Sequence, residues 1–275
     1  KITSPYHHFA YEILSFFYQR NGFNKLKDKL LQDLVVIRII EPASKIRSLS
    51  LLKEYFDISF GHTTLYQGLR RIREKKDEIE TVAVEYAKKH LSFDFSLVFY
   101  DVTTLYFETH KEDEDLTDDQ GKVVEEGLRK NGFSKDHKSN QPQILVGLLV
   151  TKEGYPVAVE MFPGKMFEGK TMIPVILKVK EKYRIKNLTV VADAGMLSFA
   201  NMRELEKHDL SYIVGARMGS IADDLMKETS QALDKTEGIF YKAQTGHGKL
   251  ICDYSKKRAS KDKSDREKQI RRALR

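Results

Sequence analysis

Two stretches decide the fold: Leu97-Val98-Phe99-Tyr100-Asp101-Val102-Thr103-Thr104-Leu105 and Leu188-Thr189-Val190-Val191-Ala192-Asp193-Ala194-Gly195. Both are dense in β-branched and aromatic or other large apolar residues, which fit a pleated, half-buried surface. The second is the continuous apolar run that an interior strand needs, and Gly195 opens the turn after it. Each stretch carries one carboxylate. Because side chains alternate along a strand, Asp101 shares a face with Leu97, Phe99, Thr103 and Leu105. That places it among core residues, where an unpaired charge is costly and calls for donors, a cation or a metal. Asp193 closes its strand at the carboxyl end, where open α/β sheets place their ligands. Taken singly, an aspartate at a strand end also serves as a helix cap or a loop hydrogen-bond partner. Two of them on neighbouring strands can hold a pair of Mg²⁺ ions about 4 Å apart, the arrangement that serves phosphodiester chemistry. Such hard oxygen donors suit Mg²⁺ or Mn²⁺ better than zinc.

Working outward, apolar spacing of three and four predicts helices over 5–20, 25–40 and 45–55 and a long fourth over 63–90. Ser44 can cap the third, and Thr63 or Thr64 the fourth. After Ser92 the pattern turns to strands at 93–107, 143–150 and 155–162, with a Lys152-Glu153-Gly154 hairpin signal between the last two. A helix at 171–183, the strand 188–192, a Ser198-capped helix at 199–208 and a strand at 211–216 complete an α/β order. The segment 111–119 has six carboxylates in nine residues and reads as a mobile acidic loop. Beyond Arg217 a helix at 223–233, a hairpin over 238–252 and a basic helix follow.

The chain has 275 residues and a net charge of +7, and residues 256–275 hold ten basic and three acidic side chains, so the excess is entirely local. Such a run is an electrostatic opportunity or a solvated helix face. The longest apolar run, 144–150, falls far short of the roughly 20 residues of a spanning helix, so no membrane role is expected. The single Cys252 excludes an intramolecular disulfide and a cysteine zinc site, and fits a reducing, cytoplasmic setting.

The blocks Phe99-Tyr100-Asp101-Val102-Thr103-Thr104, Gly132-Phe133-Ser134-Lys135-Asp136-His137, 143–150, Phe162-Pro163-Gly164 with Glu168-Gly169-Lys170-Thr171, and Val191-Ala192-Asp193-Ala194-Gly195-Met196-Leu197-Ser198 resemble, in order and spacing, bacterial insertion-sequence transposases of the DDE type. The resemblance implies an α/β fold with an RNase H-like mixed sheet flanked by helices, preceded by an all-helical domain. The implied division is 1–91 helical and DNA-binding, 92–217 catalytic, and 218–275 the start of an insertion ending in the basic helix. It also implies metal-dependent cleavage and strand transfer on double-stranded DNA, at element ends and target, by a homodimer on DNA. Asp101 would be the first metal ligand and Asp193 the second, with two Mg²⁺ or Mn²⁺ ions in the complete site. The family's third acid sits on a later helix, beyond a strand-rich insertion. The expectation is therefore a fragment with an incomplete site.

Further candidates come from the residues themselves. The fourth helix begins after a short connection, as in a helix-turn-helix, and Thr64, Gln67, Arg70 and Arg71 would face DNA. The alternative is a bundle whose polar face is solvated, since Glu74, Asp77, Glu78 and Glu80 follow and repel phosphate. Lys135, Asp136 and His137 form a loop able to approach the metals or a phosphate, or else a surface turn. Two competing functions stay open: a DNA-binding remnant of a mobile element that does not cut, and a haloacid-dehalogenase-like phosphatase with Asp101 as nucleophile. The phosphatase needs a second Asp two residues on, where this chain has Thr103.

Overall fold

The computed structural model describes residues 7–134, 138, 140–193, 195–196, 198–216, 221–246 and 248–274. The chain divides into two compact units, 1–191 with 198–213, and 192–197 with 214–275.

The first unit opens with helices α1 (His8–Arg20), α2 (Lys29–Ile40), α3 (Lys45–Phe56), α4 (His62–Glu74) and α5 (Lys76–His90). Asp28 caps α2 by accepting from the Leu31 amide at 3.0 Å, and Ser44 caps α3 by accepting from the Arg47 amide at 3.2 Å. Leu30, Leu34, Ile37, Leu49, Leu52, Phe56 and Leu65 form a core shared by α2, α3 and α4, with Tyr11 and Leu14 of α1 packed against it. Each such side chain, fully buried, stabilises the fold by about 1.5–3 kcal/mol. Gly68 lets α4 lie directly on α2, because a Cβ there would meet Leu30 Cδ2 at 2.2 Å.

The expected single helix over 63–90 is two helices, divided at Lys75 with φ −86° and ψ 7°. The charge pattern supplies a reason. Arg71 and Arg73 lie in the last turn of α4, and Asp77 and Glu78 in the first turn of α5, so each terminus carries the charge that its dipole favours. The Lys75 ammonium also turns back to donate to the Leu26 carbonyl.

The sheet contains β1 (Leu97–Tyr106), β4 (Gln143–Thr151), β5 (Pro156–Pro163), β6 (Thr189–Ala192) and β7 (Ser211–Val214), while β2 (Leu116–Thr117) and β3 (Val123–Glu125) form a separate hairpin. Its order is β5-β4-β1-β6-β7. β4 runs antiparallel to both β1 and β5, and β6 runs parallel to β1 with register Leu97↔Thr189 to Phe99↔Val191. This is the expected mixed sheet behind an N-terminal helical region. Helix α6 (Met172–Lys182) buries Met172, Val175, Ile176 and Val179 and packs on β4 and β5. Tyr100 points to the same side and donates to Thr171 Oγ1 at 2.8 Å. Gly147 makes room for that ring, since a Cβ would stand 2.3 Å from the Tyr100 hydroxyl. Burial pushes the Tyr100 phenol up to about 12, against the opposing hydrogen bond with Thr171. The outer edge of β5 is covered by α5, where Glu80 accepts from the Val159 amide at 3.1 Å.

Two expectations need correction. Alternation along β1 holds, but Val98 and Tyr100 form the buried face, and Asp101 lies on the exposed one with Phe99, Thr103 and Leu105. The period identifies which residues share a face; which face is covered depends on where α6 packs. The segment 111–119 is not a loose acidic loop. Asp113 accepts from the Arg129 amide at 3.0 Å and from its Nε at 2.7 Å, Asp115 pairs with Lys130 at 2.8 Å, and Glu112 accepts from the Asn131 amide at 2.7 Å. The arginine and lysine opposite hold the Asp113 and Asp115 carboxyls below their usual range.

In the second unit α8 (Asp223–Leu233) precedes the hairpin β8 (Phe240–Thr245) and β9 (Gly248–Asp253), which leads into α9 (Lys256–Ala273). Tyr241 of β8 donates to Glu228 of α8 at 3.0 Å. Ser255 caps α9 by accepting from the Arg258 amide at 3.4 Å, and Glu237 accepts the Lys256 amide at 2.9 Å. Among the described residues no helix is long and apolar enough to cross a membrane. The helix α7 (Phe199–Lys207), back in the first unit, is capped by Ser198 and joins β6 to β7.

Candidate active site

Asp101 stands mid-strand on β1, opposite Leu148 of β4, which in turn is opposite Val159 of β5. Its surroundings are apolar but open: Phe99 is 40%, Leu148 39% and Val159 38% exposed. Its Oδ1 accepts from the Val102 amide at 2.8 Å, which fixes the carboxylate while leaving it accessible. A carboxylate in this position keeps its hydration and has no need of a buried counter-charge.

Asp193 follows β6 directly and is exposed. Its Oδ1 accepts from the amides of Gly195 at 2.8 Å and Met196 at 3.0 Å. The residue thus shapes the loop after β6, the local role that any aspartate at a strand end can take. Gly195 suits this turn, since a Cβ would lie 3.1 Å from that same oxygen. Asp101 belongs to the first unit and Asp193 to the second. Along the chain, each stands two residues beyond the last parallel pair, Phe99↔Val191.

Thr64, Gln67, Arg70 and Arg71 are all exposed on α4, which follows α3 after a short connection. Of the four, Arg71 is engaged within the fold. Its Nε donates to Asp28 Oδ2 at 2.8 Å, and Lys75 lies 4.0 Å from the same oxygen. Asp28 is completely buried at its side chain. Burial alone would raise its pKa, but the hydrogen bonds from Arg71 and Leu31 and the charges of Arg71 and Lys75 hold it below the ordinary range. Sequence reasoning missed this pairing, and no local signal marks it, because the two residues are 43 positions apart.

Lys135 and His137 lie outside the described residues. The segment just before them is fixed by a compact knot. Gln143 is buried, and its amide nitrogen donates to the carbonyls of Phe133 at 3.1 Å and Gly164 at 2.9 Å. A Cβ at Gly132 would meet the Gly164 oxygen at 2.0 Å, and one at Gly164 would meet the Gln143 oxygen at 2.1 Å. Three stretches quoted separately from the sequence therefore meet in one place: Gly132-Phe133-Ser134, the start of β4 and Phe162-Pro163-Gly164. Ser134 also hydrogen-bonds the Tyr106 hydroxyl at 3.0 Å, which ties this loop to the end of β1. Among the described residues no three His, Cys, Asp or Glu side chains cluster as a metal-holding group.

The chain is similar to several solved structures. One is a Mos1 transposase paired-end complex with left transposon end, at 14% identity and TM-score 0.27, covering 65% of this chain and 56% of that one. A second is the Mos1 mariner paired-end complex with Mn, at 14% identity and TM-score 0.26, over 65% and 56%. A third is a piggyBac transposase synaptic complex with hairpin DNA, at 12% identity and TM-score 0.40, over 88% and 48%. The chain thus spans about half the length of these structures. No curated protein matches it. The family described as Transposase DDE domain matches residues 92–272. That match covers more than half of the sequence, and the protein belongs to the transposase DDE domain family.

Proposed function

We propose that this chain carries the DNA-cleaving and strand-joining core of an insertion-sequence transposase, with Asp101 and Asp193 as carboxylates of its metal site. The observation that carries the reading is the parallel β1–β6 register, beyond which each strand brings an aspartate at the same offset. The donor set fits a hard divalent cation: two carboxylates, each oriented through Oδ1 by backbone amides. Family membership implies divalent metal use, and we assign Mg²⁺ or Mn²⁺, two ions in the complete site. When bound, such ions supply Lewis acidity and neutralise charge at phosphorus.

What the chain itself does is hold the two acids and position DNA. Water displaces the 3′ oxygen at the scissile phosphate, and the freed 3′-hydroxyl then displaces the 3′ oxygen of a target phosphodiester; the departing oxygen takes up a proton in each step. Residues 1–91 would bind the element end, with Thr64, Gln67 and Arg70 facing the duplex and Arg71 holding α4 in place. Residues 92–217 would carry the chemistry, and 218–275 would belong to an insertion. Lys135 and His137 would contact a phosphate. A homodimer would join two ends on DNA, in the cytoplasm, where that DNA lies. Membership of the family removes the phosphatase reading.

The test is Mn²⁺ binding by calorimetry with the wild type, Asp101→Asn and Asp193→Asn, alongside binding to duplex element ends. Loss of metal binding in both variants with retained DNA binding is the expected result. Unchanged Mn²⁺ affinity in either variant sinks the shared site. The two-acid donor set also favours a second reading, DNA binding without cleavage, and Mg²⁺-dependent nicking by this chain would exclude it.

A further inference from the structure

Helix α9 is 18 residues long and buries none of them. A helix that is polar all round draws no stability from an apolar face and needs either many internal ion pairs or something to lie against. Internal pairing is sparse: among the described residues, Lys268 reaches Asp265 at 3.6 Å. The helix is nevertheless well delimited, with Ser255 at its start and the β8–β9 hairpin before it.

Cations occur on every side of it, but five share one arc. Lys257, Lys261, Lys268, Arg271 and Arg272 follow one another at intervals of four, seven, three and one, which brings all five to one side of a 3.6-residue helix. Ser264 falls among them, whereas Asp262, Asp265 and Glu267 fall outside the stripe. From Lys257 to Arg272 the stripe runs about 22 Å at roughly 1.5 Å per residue. Arg258 lies beside the stripe, and Lys256, Lys263 and Arg266 lie on the other side, where they supply an internal control.

The geometry points to α9 as a phosphate-tracking surface for duplex DNA, docked through the stripe Lys257, Lys261, Lys268, Arg271 and Arg272. This rests on the DNA reading above and extends it to a surface outside the two-acid site and outside α4. Charge complementarity selects the occupant: a linear row of cations with no apolar element matches a backbone of regularly spaced anions and offers nothing to a hydrophobic partner. Such contacts position the protein and carry no base specificity.

The experiment measures binding of residues 1–275 to a duplex of arbitrary sequence across a salt series. Three forms are compared: the wild type, the stripe variant Lys257→Gln/Lys261→Gln/Lys268→Gln, and the opposite-side variant Lys256→Gln/Lys263→Gln/Arg266→Gln. The two variants lose the same charge. Each phosphate contact contributes about 0.9 to the slope of log K against log salt, so the stripe variant should lose about 2.7 of it and the opposite-side variant almost none. Equal slopes in the two variants would mean that net charge alone acts, and would overturn the inference. So would a stripe variant that binds like the wild type, or one that alters self-association and leaves DNA binding untouched. A wild type that binds no duplex at any salt removes the DNA reading itself. Circular dichroism checks that the helix persists, and a Lys→Arg version of the stripe variant, which restores charge without the lysines, should recover the slope.

Discussion

α4 and α9 are both basic helices in the sequence, and the structure treats them oppositely. α4 is built into a core: Leu65 is fully buried, Gly68 touches Leu30, and one arginine pairs with a buried carboxylate. α9 has no buried residue. Part of the positive charge on α4 therefore holds the fold together, whereas the charge on α9 remains at the surface. A count of lysines and arginines cannot distinguish these cases. Burial of the intervening apolar residues can, because only a packed helix brings its charges within reach of buried partners.

The sharpest way to break this contrast is to remove an apolar side chain from each helix. Leu65→Ala should destabilise the protein by about 2–5 kcal/mol, the range for a leucine cavity in a closed core. Ile270→Ala in α9, where the side chain is already 53% exposed, should stay within about 0.5 kcal/mol. Urea unfolding followed by circular dichroism gives both values. A comparable loss from Ile270→Ala would mean that α9 is packed in solution.

A second contrast concerns what each helix contacts on DNA. If α4 reads base edges, Gln67→Ala or Arg70→Ala should reduce discrimination between the element end and an unrelated duplex by about 1–3 kcal/mol. Changing the α9 stripe should weaken both duplexes alike. Competition binding at one fixed salt separates the outcomes, and an equal loss on both duplexes from Arg70→Ala would reduce α4 to a phosphate contact.

Much of this was legible in the sequence, and what was not shares a cause. Strands β1, β4, β5 and β6 stood out because β-branched runs bounded by turn residues have few other uses, and the Lys152-Glu153-Gly154 turn sits where Gly154 adopts φ 83°. The break at Lys75 was written in the basic-then-acidic order of 70–80, but the apolar stripe runs through it and hides it. Period two is symmetric between faces, so the pattern of β1 does not say which of its faces is buried. The ordering of Asp113 and Asp115 depends on Arg129 and Lys130, and that of Arg71 on Asp28, all partners that local pattern cannot reach. Both candidate acids could be picked out because each carboxylate interrupts an otherwise apolar run, Asp101 within β1 and Asp193 just after β6. The loop contacts of Asp193 could not, since they depend on the path of the turn.

Arg71→Gln probes the engaged charge on α4 at smaller scale. It removes the strongest partner of a buried carboxylate but leaves the Leu31 amide and Lys75, and Arg71 is itself half exposed, so the loss near neutral pH should be about 1–2 kcal/mol. Lys261→Gln on α9 should cost nothing measurable.

The smallest effect expected is in the pH dependence of that loss. Asp28 has its pKa lowered in the folded protein, with burial opposing and the Arg71 and Leu31 hydrogen bonds prevailing. A folded pKa below the unfolded value of about 3.9 means that the unfolded chain binds the proton more readily. The stabilisation is therefore complete above the unfolded pKa and is lost as pH falls through the folded one. Arg71→Gln takes away the main cause of the lowering, so burial prevails and the carboxyl titrates higher. The difference in stability between wild type and variant should then shrink steadily as pH falls from about 5 toward 2, and urea midpoints measured along that series follow it. Asp77, Asp113 and Glu160 are lowered as well and shape the same acid limb, but they are common to both proteins and cancel in the difference. Asp262→Asn on α9 should leave the acid limb unchanged. If the wild-type and Arg71→Gln curves instead run parallel down to pH 2, Arg71 stabilises α4 by packing its stem, and the electrostatic half of the comparison between the two helices fails.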